Sequence, residues 1–77
     1  MSRVSEINSH LLRTIYHLTK AETDVSLLVW KGLTNVQIAR LRGRAVDTVN
    51  AQLKAILRKT GTTNRTELVQ KMGHLSI

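Results

Sequence analysis

Two helix-start signatures govern what this chain can fold into: Thr19-Lys-Ala-Glu22 and Thr34-Asn-Val-Gln37, followed downstream by Gly32 and Gly43 respectively. In each, the threonine hydroxyl can accept from the backbone N–H three residues on, while the Glu or Gln side chain reaches back to the threonine N–H. Two of the donors that a helix leaves unpaired at its start are thereby satisfied together. Glycine then stops the helix by adopting the left-handed conformation. One helix is expected from about Lys20, with Ala21, Val25, Leu28 and Val29 as its apolar stripe, and a second of about two turns with Ile38, Ala39 and Leu41. A third is expected over 46–59, where Val49, Leu53, Ile56 and Leu57 share one face before Gly61, and a fourth from Asn64 or Arg65 to Met72. Ahead of these, Val4, Ile7, Leu11, Ile15 and Leu18 recur at threes and fours and predict an amphipathic helix over 4–17. There is no period-two run, so an all-α fold is expected.

The chain has 77 residues with no Cys, Pro or Phe, which fits one compact domain. Such a domain buries only about 60% of its unfolded surface and tends to gain stability from a partner. Without cysteine there is no disulfide and no thiolate metal site. His10 and His17 lie on one face but lack a third ligand, so solvated surface histidines are expected, with no metal and no cofactor. Glu22 is committed to its capping box and forms no catalytic carboxylate pair with Asp24. No nucleophile and base are brought together and no glycine loop cradles phosphate, so an enzyme is not expected, nor a small-molecule ligand. The longest apolar stretch, Val25 to Trp30, is far short of the roughly 20 residues that span a bilayer. Met1-Ser2-Arg3 leads into a polar segment rather than a signal-peptide core, so the expectation is a cytoplasmic protein without a membrane partner.

The net charge of +7 is concentrated in the middle of the chain. Residues 1–30 and 66–77 are each neutral, whereas Lys31, Arg40, Arg42, Arg44, Lys54, Arg58, Lys59 and Arg65 face only Asp47. That is the footprint of a polyanion binder, because each neutralised phosphate releases condensed counterions. The competing reading is a basic face kept for solubility. The single Trp30, with Leu27, lies outside this basic region and is expected to pack under the N-terminal helix rather than stack on bases.

Residues 34–53 have the layout of a helix-turn-helix. Two helices that meet steeply need a small residue at their approach, a glycine in the turn and a branched apolar residue locking the pair. Ala39, Gly43 and Val49 supply these, with Ile38 beside the first. Arg42 and Arg44 flank the turn glycine where apolar residues would often stand, and are expected to point outward toward phosphate.

The pieces Leu18-Thr-Lys-Ala-Glu22, Val25, Gly32-Leu-Thr-Asn35, Ile38-Ala39, Thr48-Val49, Gln52-Leu53-Lys54, Ile56, Arg58-Lys59, Gly61 and Asn64-Arg65-Thr66 resemble the LuxR/GerE helix-turn-helix domain of bacterial transcription regulators. The resemblance covers about 18–72 without a gap. The family often has Ser where Ala45 stands, His where Gln52 stands, and apolar residues at Ser26 and Thr60; these departures are expected to weaken one helix cap and loosen the core. The resemblance implies a four-helix domain, which takes 18–77, while the N-terminal amphipathic helix read from the apolar spacing forms a segment of its own over 1–17. It also implies that the helix over 46–59 enters the major groove and that the last helix pairs two copies. The apolar Leu68, Val69 and Met72 make that helix one candidate dimer surface, and the stripe from Val4 to Ile15 on the N-terminal helix is a second.

The residues themselves point to the same arrangement. With Val49, Leu53, Ile56 and Leu57 inward, the opposite face carries Asp47, Asn50, Ala51, Lys54 and Arg58. Asn pairs with adenine, Ala touches a thymine methyl and Lys reaches guanine O6 or N7, so Asp47, Asn50, Ala51 and Lys54 are the candidate base readers. Thr34, Asn35, Thr48, Arg58, Lys59, Arg42 and Arg44 are the candidate phosphate contacts, the first two at a helix N-terminus that favours anions. The expected function is a sequence-specific DNA-binding transcription regulator acting as a homodimer on double-stranded DNA, either alone or as the output domain of a larger regulator. Two alternatives are a protein-binding anti-activator that sequesters a full-length regulator through its N-terminal helix, and a sigma-factor promoter-reading module working with RNA polymerase.

Overall fold

A computed structural model of the chain describes residues 8–75. Five helices follow one another: α1 (Ser9–Tyr16), α2 (Lys20–Trp30), α3 (Asn35–Arg42), α4 (Val46–Thr60) and α5 (Arg65–Gly73), with no strand among the described residues. The all-α expectation holds, and four of the helices begin within about a residue of where capping and periodicity placed them.

Both capping boxes form. The Thr19 hydroxyl accepts from Glu22 N at 3.1 Å while Glu22 Oε1 accepts from Thr19 N at 2.9 Å, and Thr34 and Gln37 repeat the exchange at 3.1 and 2.8 Å. At the α3–α4 turn Gly43 sits at φ 64°, and Arg44 N donates to Ala39 O at 2.9 Å. A side chain at Gly43 would be strained there whatever the space around it, so this glycine sets the angle between α3 and α4. α5 has its own cap, with Asn64 Oδ1 accepting from Glu67 N at 2.9 Å.

The core is one cluster: Leu12, Leu18, Val25, Val29, Ile38, Ala39, Val49, Ile56, Leu68 and Met72. α4 packs on both α2 and α3, with Val49 and Ile56 fully buried and Leu53 and Leu57 half-buried beside them. A line of apolar burial on one side of α4 forces its other side into solvent.

Several expectations change. Val4 and Ile7 lie outside the described residues. Of the rest of that stripe, Leu11 is 38% and Ile15 45% exposed, whereas Leu12 is completely buried. The reason is the helix end: α1 stops at Tyr16, and His17 takes a left-handed φ of 56° that turns the chain before Leu18. Leu18 is buried by that turn and not by continuing the Leu11–Ile15 face. Leu41 is 66% exposed, because Ile38 and Ala39 fill the inner side of the two-turn α3. Trp30 packs against α5: a Cβ on Gly73 would stand 3.8 Å from its Cη2 and Cζ3 atoms.

The departures at Ser26 and Thr60 separate into two kinds. Thr60 is buried, but its hydroxyl bonds Ile56 O at 2.9 Å and the Thr62 hydroxyl at 2.8 Å, so it costs little. Ser26 is fully buried and its Oγ has no hydrogen-bond partner. An unsatisfied buried hydroxyl carries a desolvation penalty of about 1–3 kcal/mol.

Candidate nucleic-acid interface

The exposed face of α4 is the centre of the site. Asp47, Asn50, Ala51, Lys54 and Arg58 are all exposed, and Thr48 is exposed beside them. The helix that carries them lacks the usual start: Ala45 stands extended at the N-cap position and offers no side-chain hydrogen bond. The first N–H groups of α4 therefore keep unsatisfied donor capacity at the solvent end of the turn, with Asp47 as the acidic residue of that first turn.

α3 contributes its own N-terminus. The Thr34 hydroxyl and the Gln37 side chain satisfy the Gln37 and Thr34 N–H groups, so the donors left at this end are those of Asn35 and Val36. The Asn35 side chain is already occupied. Its Nδ2 donates to Asn50 Oδ1 at 2.8 Å, and its Oδ1 accepts from Arg65 Nη1 at 2.7 Å, while Arg65 Nη2 donates to the Leu33 carbonyl. Three helices thus converge on Asn50: α3 through Asn35, α5 through Arg65, and α4 itself. In the sequence Arg65 is one more cation and part of a family motif, with no signal of this contact.

The cations fall into two groups. Lys31, Arg40, Arg44, Lys54 and Arg58 are exposed, and their side chains make no hydrogen bond or ion pair among the described residues. Arg42 does not point out toward phosphate: it pairs with Asp24 at 3.3 Å with only 20% of its side chain exposed. Lys59 pairs with Glu22 at 2.7 Å and reaches the His17 carbonyl at 3.5 Å. Both are consumed in tying α3 and α4 to α2, which the sign of their charge alone does not reveal. Asp24 is shared with Lys20 at 3.3 Å, so this acid is flanked from two sides.

Burial pushes the Glu22 carboxyl up, but the hydrogen bond and charge of Lys59, together with the bonds from Thr19, outweigh it and hold the group below the ordinary carboxylate value. Glu67 is held low by hydrogen bonds from the Thr63 N–H and hydroxyl at 2.8 and 2.9 Å.

The trio expected to pair two copies is divided. Leu68 is 1% exposed and Met72 fully buried, so both are spent on the domain's own core, and only half-buried Val69 is left to meet a second chain. Val69 borders a shallow hollow between α2 and α5 with Trp30, Arg65, Thr66 and Gln70. His10 and His17 are both exposed, and among the described residues no group of three or more His, Cys, Asp or Glu is placed to hold a metal. No helix among the described residues is long and apolar enough to cross a membrane.

A family model described as GerE, bacterial regulatory proteins of the luxR family, matches residues 16–72, from the last residue of α1 to near the end of α5. Comparison with curated proteins and with solved structures found no match. With five helices among the described residues, the glycine-turned α3–α4 pair and a match over most of its length, the chain belongs to the luxR family of bacterial regulatory proteins and carries its GerE-type helix-turn-helix DNA-binding domain.

Proposed function

We propose that this protein is a sequence-specific DNA-binding transcription regulator that lays α4 in the major groove and acts as a homodimer. The observation that carries the reading is the two-sidedness of α4, with Val49 and Ile56 buried on one side and Asp47, Asn50, Ala51, Lys54 and Arg58 exposed on the other. Asp47, Asn50, Ala51 and Lys54 read base edges, since these are short or hydrogen-bonding groups over the N-terminal half of a groove-entering helix. Arg58 and Arg44, the Thr48 hydroxyl and the α3 terminus at Thr34 and Asn35 meet phosphates. Arg42 and Lys59 serve the fold instead of the backbone of DNA. The two copies meet through the Val69 side of α5, in the cytoplasm where the target duplex is found.

A second reading draws on exposed Leu11 and Ile15: α1 binds a larger regulator, and the helix-turn-helix serves only as a scaffold. Selection of bound duplexes from a random-sequence pool, followed by titration at several salt concentrations, separates the two. The five unpaired cations predict a slope of log K against log salt of about −4 to −5 per protomer, together with an enriched sequence. Absence of enrichment with a flat salt response favours the scaffold reading.

A further inference from the structure

The hydrogen-bond chain that ends on Asn50 has a direction, and its origin is Arg65. A guanidinium carries five N–H donors and no acceptor. Against Arg65 Nη1 at 2.7 Å the Asn35 amide must therefore present its oxygen, which turns its N–H2 toward α4. Across 2.8 Å the Asn50 amide must in turn present Oδ1 to Asn35, which turns its own Nδ2 away. The Leu33 carbonyl, bonded by Arg65 Nη2, holds the guanidinium in place on α3. Without the arginine both amides can flip together and keep the hydrogen bond between them. The donor-only charge thus selects one of two otherwise equivalent amide arrangements.

We propose that Arg65, from outside the recognition helix, sets the polarity of this chain so that Asn50 offers an N–H donor to a hydrogen-bond acceptor on a base edge. The inference rests on the major-groove reading of α4 and adds to it which bases Asn50 admits. In the major groove the acceptors are purine N7, guanine O6 and thymine O4, whereas cytosine presents the N4 amino donor. One position of the bound duplex therefore excludes cytosine on the strand facing Asn50. Arg65 is a positioning residue: it is half-buried, engaged at both ends of its guanidinium, and acts through Asn35.

The test measures affinity for a duplex taken from the random pool and for its single-base variants. The parent protein rejects cytosine at one position by about 5- to 100-fold, and Asn50→Ala abolishes that rejection, which identifies the position. Arg65→Met retains binding to random duplex within about threefold but reduces the rejection at that position at least fivefold, and Arg65→Lys, still donor-only, largely restores it. Asn35→Asp provides a variant that leaves the guanidinium its partner. A carboxylate has no donor, so it accepts from Asn50 Nδ2, turns Oδ1 outward and inverts the preference toward cytosine or adenine, whose amino groups donate. Equal loss on every duplex for Arg65→Met, or unchanged rejection of cytosine in Asn35→Asp, overturns the proposal while leaving groove binding intact. A parent protein with no base preference at any position overturns the groove reading and this inference with it.

Discussion

Lys59 Nζ stands 2.7 Å from Glu22 Oε1, joining the last turn of α4 to the residue that closes the capping box of α2. One carboxylate thereby fixes the start of one helix and the end of another. Only 11% of the Glu22 side chain and 29% of the Lys59 side chain are exposed, so this pair is better shielded than an ordinary surface ion pair.

Acid should therefore loosen the domain through Glu22. Its folded carboxyl titrates below the ordinary value of 4.5, so the stability it contributes is fully present above that pH and is lost as pH falls through the lowered value. Glu22→Gln can keep the bond to the Thr19 N–H but loses the charge, and should cost about 1–2 kcal/mol at neutral pH. Denaturant melts between about pH 7 and pH 2 should show a smaller acid loss in the variant than in the parent.

Two substitutions should stabilise the fold. Ser26→Ala removes a buried hydroxyl without a partner and improves helix propensity, worth about 0.5–1.5 kcal/mol. Ala45→Ser supplies the missing cap of α4, worth about 1 kcal/mol. Each should raise Tm by several degrees, about 4–8 °C per kcal/mol for a domain of this size. A lower Tm for Ser26→Ala would mean that its hydroxyl finds a bond in solution.

Lys54 and Arg58 are one turn apart on the exposed face of α4, and they should fail differently. Lys54→Ala should cost about 1–3 kcal/mol on the selected duplex and relax preference at one base pair. Arg58→Ala should weaken all duplexes alike and lower the salt slope by about one unit per protomer. Neither side chain is in the core, so thermal melts of both variants should match the parent. Equal loss on selected and random duplex for Lys54→Ala would make it a phosphate contact.

Leu68 and Met72 cannot report on assembly, since replacing either would open the core. The informative variants are Val69→Lys beside the α2–α5 hollow and Ile15→Lys on the open face of α1. Sedimentation should show the first to be monomeric and the second still dimeric. The reverse result would move the contact to α1.

What could be read in the sequence is what short-range geometry encodes. Thr19 with Glu22 and Thr34 with Gln37 satisfy each other across three residues, and the two faces of α4 follow from a period that repeats every turn. What could not be read depends on partners far along the chain. Lys59 meets Glu22 across 37 residues, Arg42 meets Asp24 across 18, and Arg65 meets Asn35 across 30. Their positive charge announced only that each would seek an anion or an acceptor. The buried face of α1 is hidden in the sequence for a related reason: Leu11 and Leu12 are both leucines at helical spacing from other apolar residues, and the chain's turn at His17 goes with burial of Leu12. Asn50 was legible as an outward polar residue, but the chain of bonds behind it was not.

Whether α4 reads the major groove is decided by chemical interference on a selected duplex. Methylation of guanine N7 marks the major groove and methylation of adenine N3 the minor groove, so bound and unbound fractions of a sparsely methylated duplex can be compared base by base. With α4 in the major groove, N7 methylation at a short run of positions within each half-site should block binding, N3 methylation at those positions should not, and Lys54→Ala should remove at least one N7 block. Interference confined to adenine N3, or absent from both grooves while binding persists, would contradict it.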